Sequence, residues 1–182
     1  GKHAGMLLLA RALGAPTENY TDHAHAVQRR ILERFTEVTG HAFPDAVPAV
    51  DGCSAPAPRL PLRALAHVFA LLARGVDAAG KPAPGLARVR DAMTAHPELV
   101  AGEGRIDTLL MRAAPGIVSK AGAEAVHATG VSDRGYGIAI KIEDGSRRAL
   151  GPAVVSVLHE LGLLGASASE ALARHAEDRL RN

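Results

Sequence analysis

Apolar positions in the first half of the chain recur at helical spacing. Met6, Leu7, Ala10 and Leu13 fall on one face of a helix over Ala4 to Leu13, which Gly14 ends ahead of Pro16. Val27, Ile31, Leu32, Phe35 and Val38 repeat the pattern as far as Gly40. Leu62, Leu65, Ala66, Phe69 and Leu72 predict a third helix, and Leu86, Val89, Ala92 and Met93 a fourth that ends at His96-Pro97. Between the second and third lies a proline-bearing link, Phe43 to Pro61, with no helical period.

The period then changes. Ile117 to Lys120, Ala125 to Thr129, and the alternating run Ile138, Ile140, Ile142 predict strands. Turn chemistry at Asp133 to Gly135 and at Asp144-Gly145 favours an antiparallel hairpin or meander. Two helices, Pro152 to Leu161 and Ser167 to Arg179, close the chain, with Pro152 suited to a first helical position. Helices, antiparallel strands and helices again make an α+β plan, taken as a single domain over residues 1–182 with no internal repeat.

Composition narrows the class. Hydrophobic residues at 47% and charged ones at 22% describe a folding chain, and with 3% aromatics and no Trp its core is built mainly from Ala, Leu and Val. A net charge of +2 gives no reason to expect nucleic acid as a partner. No apolar run approaches the length of a bilayer span, so no membrane is expected, and the single cysteine, Cys53, excludes an internal disulfide and fits a reducing cytoplasm. The opening Gly1-Lys2-His3 runs straight into the first helix, which reads as the second part of a larger protein.

Taken one by one, the chemistry-bearing residues have ordinary readings. Lys2 and His3 suit a solvated helix start, and Asp51-Gly52-Cys53 suits a turn in which Asp caps amides and Gly takes positive φ. Glu103-Gly104-Arg105 suits a turn before a helix, with Asp107 in its first turn. Lys120 stands out: it ends a short apolar strand beside Ala121-Gly122, where small residues let a ligand approach the backbone. Partly buried there, its amine would have a lowered pKa and serve as base or anchor.

As an ordered set, the strings are more specific. Gly1-Lys2-His3-Ala4-Gly5-Met6, Val50-Asp51-Gly52-Cys53, Leu60 through Ala66, Met93 through Glu98, Val100 through Arg105 and Lys120-Ala121-Gly122-Ala123-Glu124 resemble the Rhizobium-type, thermolabile L-asparaginases, over the chain as far as about Leu150. The resemblance implies a fold like that of serine β-lactamases and glutaminases. It implies hydrolysis of L-asparagine to aspartate and ammonia by a serine that a Ser-x-x-Lys lysine activates.

Lys120, in a Lys-Ala-Gly string similar to the Lys-Thr-Gly of β-lactamases, matches the family's strand lysine and is the catalytic candidate. The family also carries a zinc site, in which Lys2 and Cys53 match two of the ligands and the upstream Cys falls before Gly1, so weak or no metal is expected here. Asp107 is a minor extra ligand candidate. Asp51, Gly52, His3 and Gly122 are the substrate-binding candidates. None of Ser54, Ser119, Ser132, Ser146, Ser156, Ser167 and Ser169 has a lysine three positions on, so the chain alone is expected to be inactive. A glutaminase or another β-lactamase-like amide hydrolase, and a non-catalytic amino-acid-binding remnant, are the alternatives; a homodimer is allowed for.

Overall fold

The structure, a computed structural model, describes residues 1–42 and 49–176. The chain divides into two compact units, Gly1–Pro61 and Leu62–Asn182.

In the first unit, α1 (Lys2–Ala12) and α2 (Ala26–Thr39) bury Met6 and Ala10 from one helix against Val27 from the other. His25 starts α2 by accepting the Val27 amide on Nδ1 at 3.2 Å, and Gly40 ends it in the left-handed conformation, φ 69°. The rest of the apolar stripe of α2 is only partly covered, and Ile31 is exposed. Within the proline-bearing link the chain forms a minimal antiparallel ribbon, β1 (Ala49–Val50) paired with β2 (Pro56–Ala57), which helical periodicity could not reveal. The early part of that link, residues 43–48, lies outside the described residues.

The second unit is α+β, as expected. It runs α3 (Leu62–Arg74), α4 (Pro84–Ala95), α5 (Pro97–Ala101), α6 (Ile106–Ala113), β3 (Ile117–Ala121), β4 (Val126–Val131), β5 (Tyr136–Lys141), a 3₁₀ turn at Arg147–Ala149, α7 (Leu150–Glu160), α8 (Ala166–Ala171) and α9 (Ala173–Ala176). The strands form an antiparallel meander in the order β3-β4-β5. Strand alternation divides the sheet into two faces. One presents Ile117, Val131, Ile138 and Ile140 to Leu110, Val154 and Leu158 of α6 and α7. The other presents Gly130 and Gly137, a cross-strand pair, to the backbone of α3 at Phe69 and Ala66.

Three element predictions need correcting. The expected helix from Ser167 to Arg179 breaks at Leu172, a fully buried residue, into α8 and α9, and residues 177–179 lie outside the described residues. α5 is an unforeseen turn of helix beginning at Pro97, where proline's missing donor costs nothing. α7 begins at Leu150, two residues before Pro152, which still falls among the first helical positions whose amides have no intrahelical acceptor.

Candidate functional site

The first unit gathers three of the predicted residues. Asp51 follows β1 at the start of the ribbon turn, whose ends are held by Asp51 N–H to the Ala55 carbonyl (2.9 Å) and Ser54 N–H to the Asp51 carbonyl (2.8 Å). Ser54, not Gly52, takes the positive φ of this turn, at 66°. The turn brings Asp51 Oδ2 to 2.5 Å from the Lys2 ammonium, 49 positions away in sequence. Oδ1 accepts the Gly52 amide at 2.7 Å, and the Cys53 thiol donates to Oδ2 at 3.5 Å.

The charges reinforce one another. Hydrogen bonding from Lys2, then from Gly52 and Cys53, holds the Asp51 carboxyl below its ordinary range. The same carboxylate raises Lys2, so both groups stay ionised around neutrality. The pair is half-exposed, with side chains 52% and 42% accessible. It is a solvent-facing ion pair that can exchange partners, not a buried strut.

His3, next along α1, pairs its Nδ1 with the Tyr20 hydroxyl at 2.8 Å, and the two rings meet edge to face. Tyr20 is held in turn through its carbonyl, which accepts the side-chain amide of buried Gln28 at 2.7 Å. Sequence reasoning passed over both Tyr20 and Gln28. Tyr20 sits in a polar loop with no period, and Gln28 is a polar residue in a helix whose burial only packing reveals. Between α1 and α2 a cavity of about 370 Å³ is walled by Met6, Leu9, Ile31 and Ala55, with Lys2 at one side.

This donor set does not fit zinc by itself. Asp51 and Cys53 offer two ligands, Lys2 is held as an ammonium with no lone pair to give, and His3 Nδ1 is engaged by Tyr20. Among the described residues no group of three or more His, Cys, Asp and Glu side chains gathers to hold a metal.

The second unit holds Lys120, Gly122 and Asp107. Lys120 is exposed on β3, and its ammonium donates to the Ala121 carbonyl at 2.5 Å. The partly buried amine expected from sequence is therefore not found: Val118, on the same sheet face, is fully buried beside Leu72 and Ala73 of α3, but two residues on Lys120 is exposed. Gly122 donates to the Val126 carbonyl at 2.8 Å and closes the β3-β4 connection. A β-carbon there would meet Val126 Cβ at 3.6 Å, an ordinary contact.

Asp107 is no surface ligand. It is 2% exposed, and its Oδ1 accepts Ser119 Oγ–H at 2.7 Å and lies 3.1 Å from His127 Nε2. Its Oδ2 accepts the Ala121 amide at 3.1 Å. Burial pushes this carboxyl up, but the bonds from His127 and Ser119, the His127 charge interaction and the Ala121 amide together outweigh it and hold it below its ordinary value. Ser119 and His127 have no shared spacing motif in the sequence. Only the pairing of β3 with β4, which sets Ala121 opposite His127 and Ser119 opposite Thr129, brings them to Asp107.

The Glu103-Gly104-Arg105 string is structural. Arg112 grips both Glu103 oxygens at 2.7 and 2.8 Å, and Thr108 Oγ1 donates to the Gly102 carbonyl at 2.6 Å, which pins the turn before α6.

Among the described residues no helix is long and apolar enough to cross a membrane. No curated protein matches the chain. The model of the L-asparaginase II family matches residues 1–182, including the C-terminal stretch beyond Leu150 that the ordered strings left uncovered. The chain belongs to the L-asparaginase II family.

Proposed function

We propose that this member of the L-asparaginase II family serves the hydrolysis of L-asparagine to aspartate and ammonia by a serine-lysine mechanism on a serine β-lactamase-like framework. The observation that carries the reading is the Lys2–Asp51 ion pair, drawn together across 49 positions within a chain whose whole length matches the family. An α-amino acid headgroup is a zwitterion, and a half-exposed ammonium beside a carboxylate is its complement. Asp51 takes the substrate's α-ammonium and Lys2 its α-carboxylate, while the Gly52 amide keeps Asp51 oriented and His3, steadied by Tyr20, borders the same α1 surface.

The reacting hydroxyl belongs to a Ser-x-x-Lys pair, which residues 1–182 do not contain. In the reaction the serine oxygen attacks the carboxamide carbon, and its proton passes to the amine of the paired lysine and on to the departing ammonia. Water then cleaves the acyl-enzyme to release aspartate. Lys120, exposed on β3, is the candidate for the strand lysine of the family, a cation suited to stabilising developing negative charge, and Gly122 leaves the adjacent backbone open. The donors present do not suit zinc, and no step of this reaction runs through it.

The test is ammonia release from L-asparagine and L-glutamine, with ring opening of a β-lactam followed by its absorbance, measured for the complete gene product and for residues 1–182 alone. Turnover of asparagine by the complete protein, with none by the chain alone, is expected. Sustained turnover by the chain alone would refute the serine-lysine assignment, and a preference for glutamine or the β-lactam would move the protein to another amide hydrolase class.

A further inference from the structure

Asp107, Ser119, His127 and Thr129 form a polar cluster within the second unit, all 2% exposed or less. Burying four polar side chains is costly unless every donor and acceptor is used, and here the proton count closes. Asp107 Oδ1 accepts the Ser119 hydroxyl proton, so the His127 Nε2 that lies 3.0 Å from Ser119 Oγ and 3.1 Å from Oδ1 carries a hydrogen and donates. His127 Nδ1 is left to face Thr129 Oγ1 at 3.4 Å. The cluster is not a nucleophile-base-acid relay, because serine and aspartate meet the same ring nitrogen.

What the cluster holds is the end of β3. Among the described residues β3 is an edge strand of the meander. Gly122 N–H points at β4, bonding Val126, so alternation turns the Ala121 N–H outward, away from the sheet. That edge amide would go to water or to another chain, but Asp107 Oδ2 accepts it at 3.1 Å. The residue immediately before Ala121 is Lys120, whose own ammonium bonds the Ala121 carbonyl. The peptide groups on both sides of Ala121 thus determine where the Lys120 ammonium sits, and one of them is anchored to a buried carboxylate on α6.

We propose that Asp107, locked by Ser119 and His127, is a positioning residue that fixes the direction in which β3 presents Lys120. The proposal rests on the reading of Lys120 as the strand lysine of the hydrolase. A side chain at this position must accept the Ala121 amide; an asparagine does so with its amide oxygen, provided its NH₂ faces Ser119 and His127 and the imidazole proton moves from Nε2 to Nδ1. An alanine cannot.

The experiment measures kcat and KM for L-asparagine in the complete protein for Asp107→Ala, Asp107→Asn, Ser119→Ala and Lys120→Ala, beside Val155→Ala as a core control on α7. Displacing a reacting group by about 1 Å costs on the order of 100-fold, so Asp107→Ala is expected to lower kcat by about that factor with KM within about twofold. Ser119→Ala is expected to lower kcat by about tenfold, and Asp107→Asn to restore most of it, with the nitrogen NMR signals of His127 showing the changed tautomer. Val155→Ala is expected to lower the melting temperature with kcat unchanged. If Asp107→Ala does not fold, Ser119→Ala decides. Losses of kcat no greater than that of Val155→Ala would overturn the positioning role. Full activity in Lys120→Ala would instead strike the lysine reading itself, and with it anything Asp107 could position.

Discussion

Gly137 lies so close beneath α3 that a β-carbon built on it would stand 1.8 Å from the Ala66 carbonyl oxygen. Its cross-strand partner Gly130 meets the Phe69 carbonyl at 2.2 Å in the same way. Together they let a helix backbone rest directly on β4 and β5. Gly137→Ala is therefore expected to destabilise the second unit by about 3 kcal/mol, because the obstacle is backbone and cannot rotate aside. Gly122→Ala, with only Val126 Cβ at 3.6 Å, is expected to leave stability nearly unchanged. Denaturant unfolding of the two variants checks the contrast.

Leu158 is 1% exposed and packs on the sheet face opposite α3, in the cluster that includes Leu110, Val154 and Ile140. Leu158→Ala removes buried methyl groups and leaves a hole, at a cost of about 2–5 kcal/mol. Leu161, three residues on, is exposed, and Leu161→Ala is expected to change little. Thermal unfolding followed by circular dichroism distinguishes them.

The Lys2–Asp51 pair has a definite pH window. Asp51 is depressed in the folded chain, so its contribution is complete above the ordinary aspartate value of 3.8 and disappears as pH falls through the lower folded value. Lys2 is raised, so its contribution is complete below 10.5 and is lost as pH rises through the higher folded value. Lys2→Ala is expected to move the Asp51 titration upward toward the ordinary value. Carbon NMR of the aspartate carboxyls across the acid range reads this directly, and added salt is expected to shrink the difference, as for any half-exposed pair.

Asp107 responds to acid in the same sense from a buried position. Its stabilising contribution is present above 3.8 and is lost as pH falls through its depressed folded value, when the carboxylate that accepts Ser119, His127 and Ala121 is neutralised. Acid titration monitored by hydrogen exchange at the Ala121 amide is expected to show that amide opening in step with the loss of stability, and Asp107→Asn is expected to flatten that dependence.

Zinc added to residues 1–182 is expected to show no saturable binding at equimolar protein, since an ammonium, one carboxylate and one cysteine do not complete a tetrahedral site. Competition against a chromophoric chelator measures it. Cys53→Ala is expected to leave the result unchanged.

Much of the architecture follows from local pattern. The helical period through Met6 and Ala10, the stop at Gly40, the alternation across Ile138 and Ile140, and the turn at Asp133 to Gly135 each act over a few residues, so the main helices and the antiparallel meander are legible in the chain itself. The family strings also named Lys2, Asp51 and Cys53, which the fold does bring together. Other features depended on contacts between distant segments. Packing on both faces of the sheet buried Val118 and Ser119 and left Lys120 exposed, although all three lie in one short apolar run. Pairing of β3 with β4 made His127 and Ser119 neighbours of Asp107, and close packing on α3 made two unremarkable glycines indispensable. Periodicity states which side of an element is apolar; the partner that covers that side, and the polar groups trapped beneath it, exist only once the chain has closed on itself.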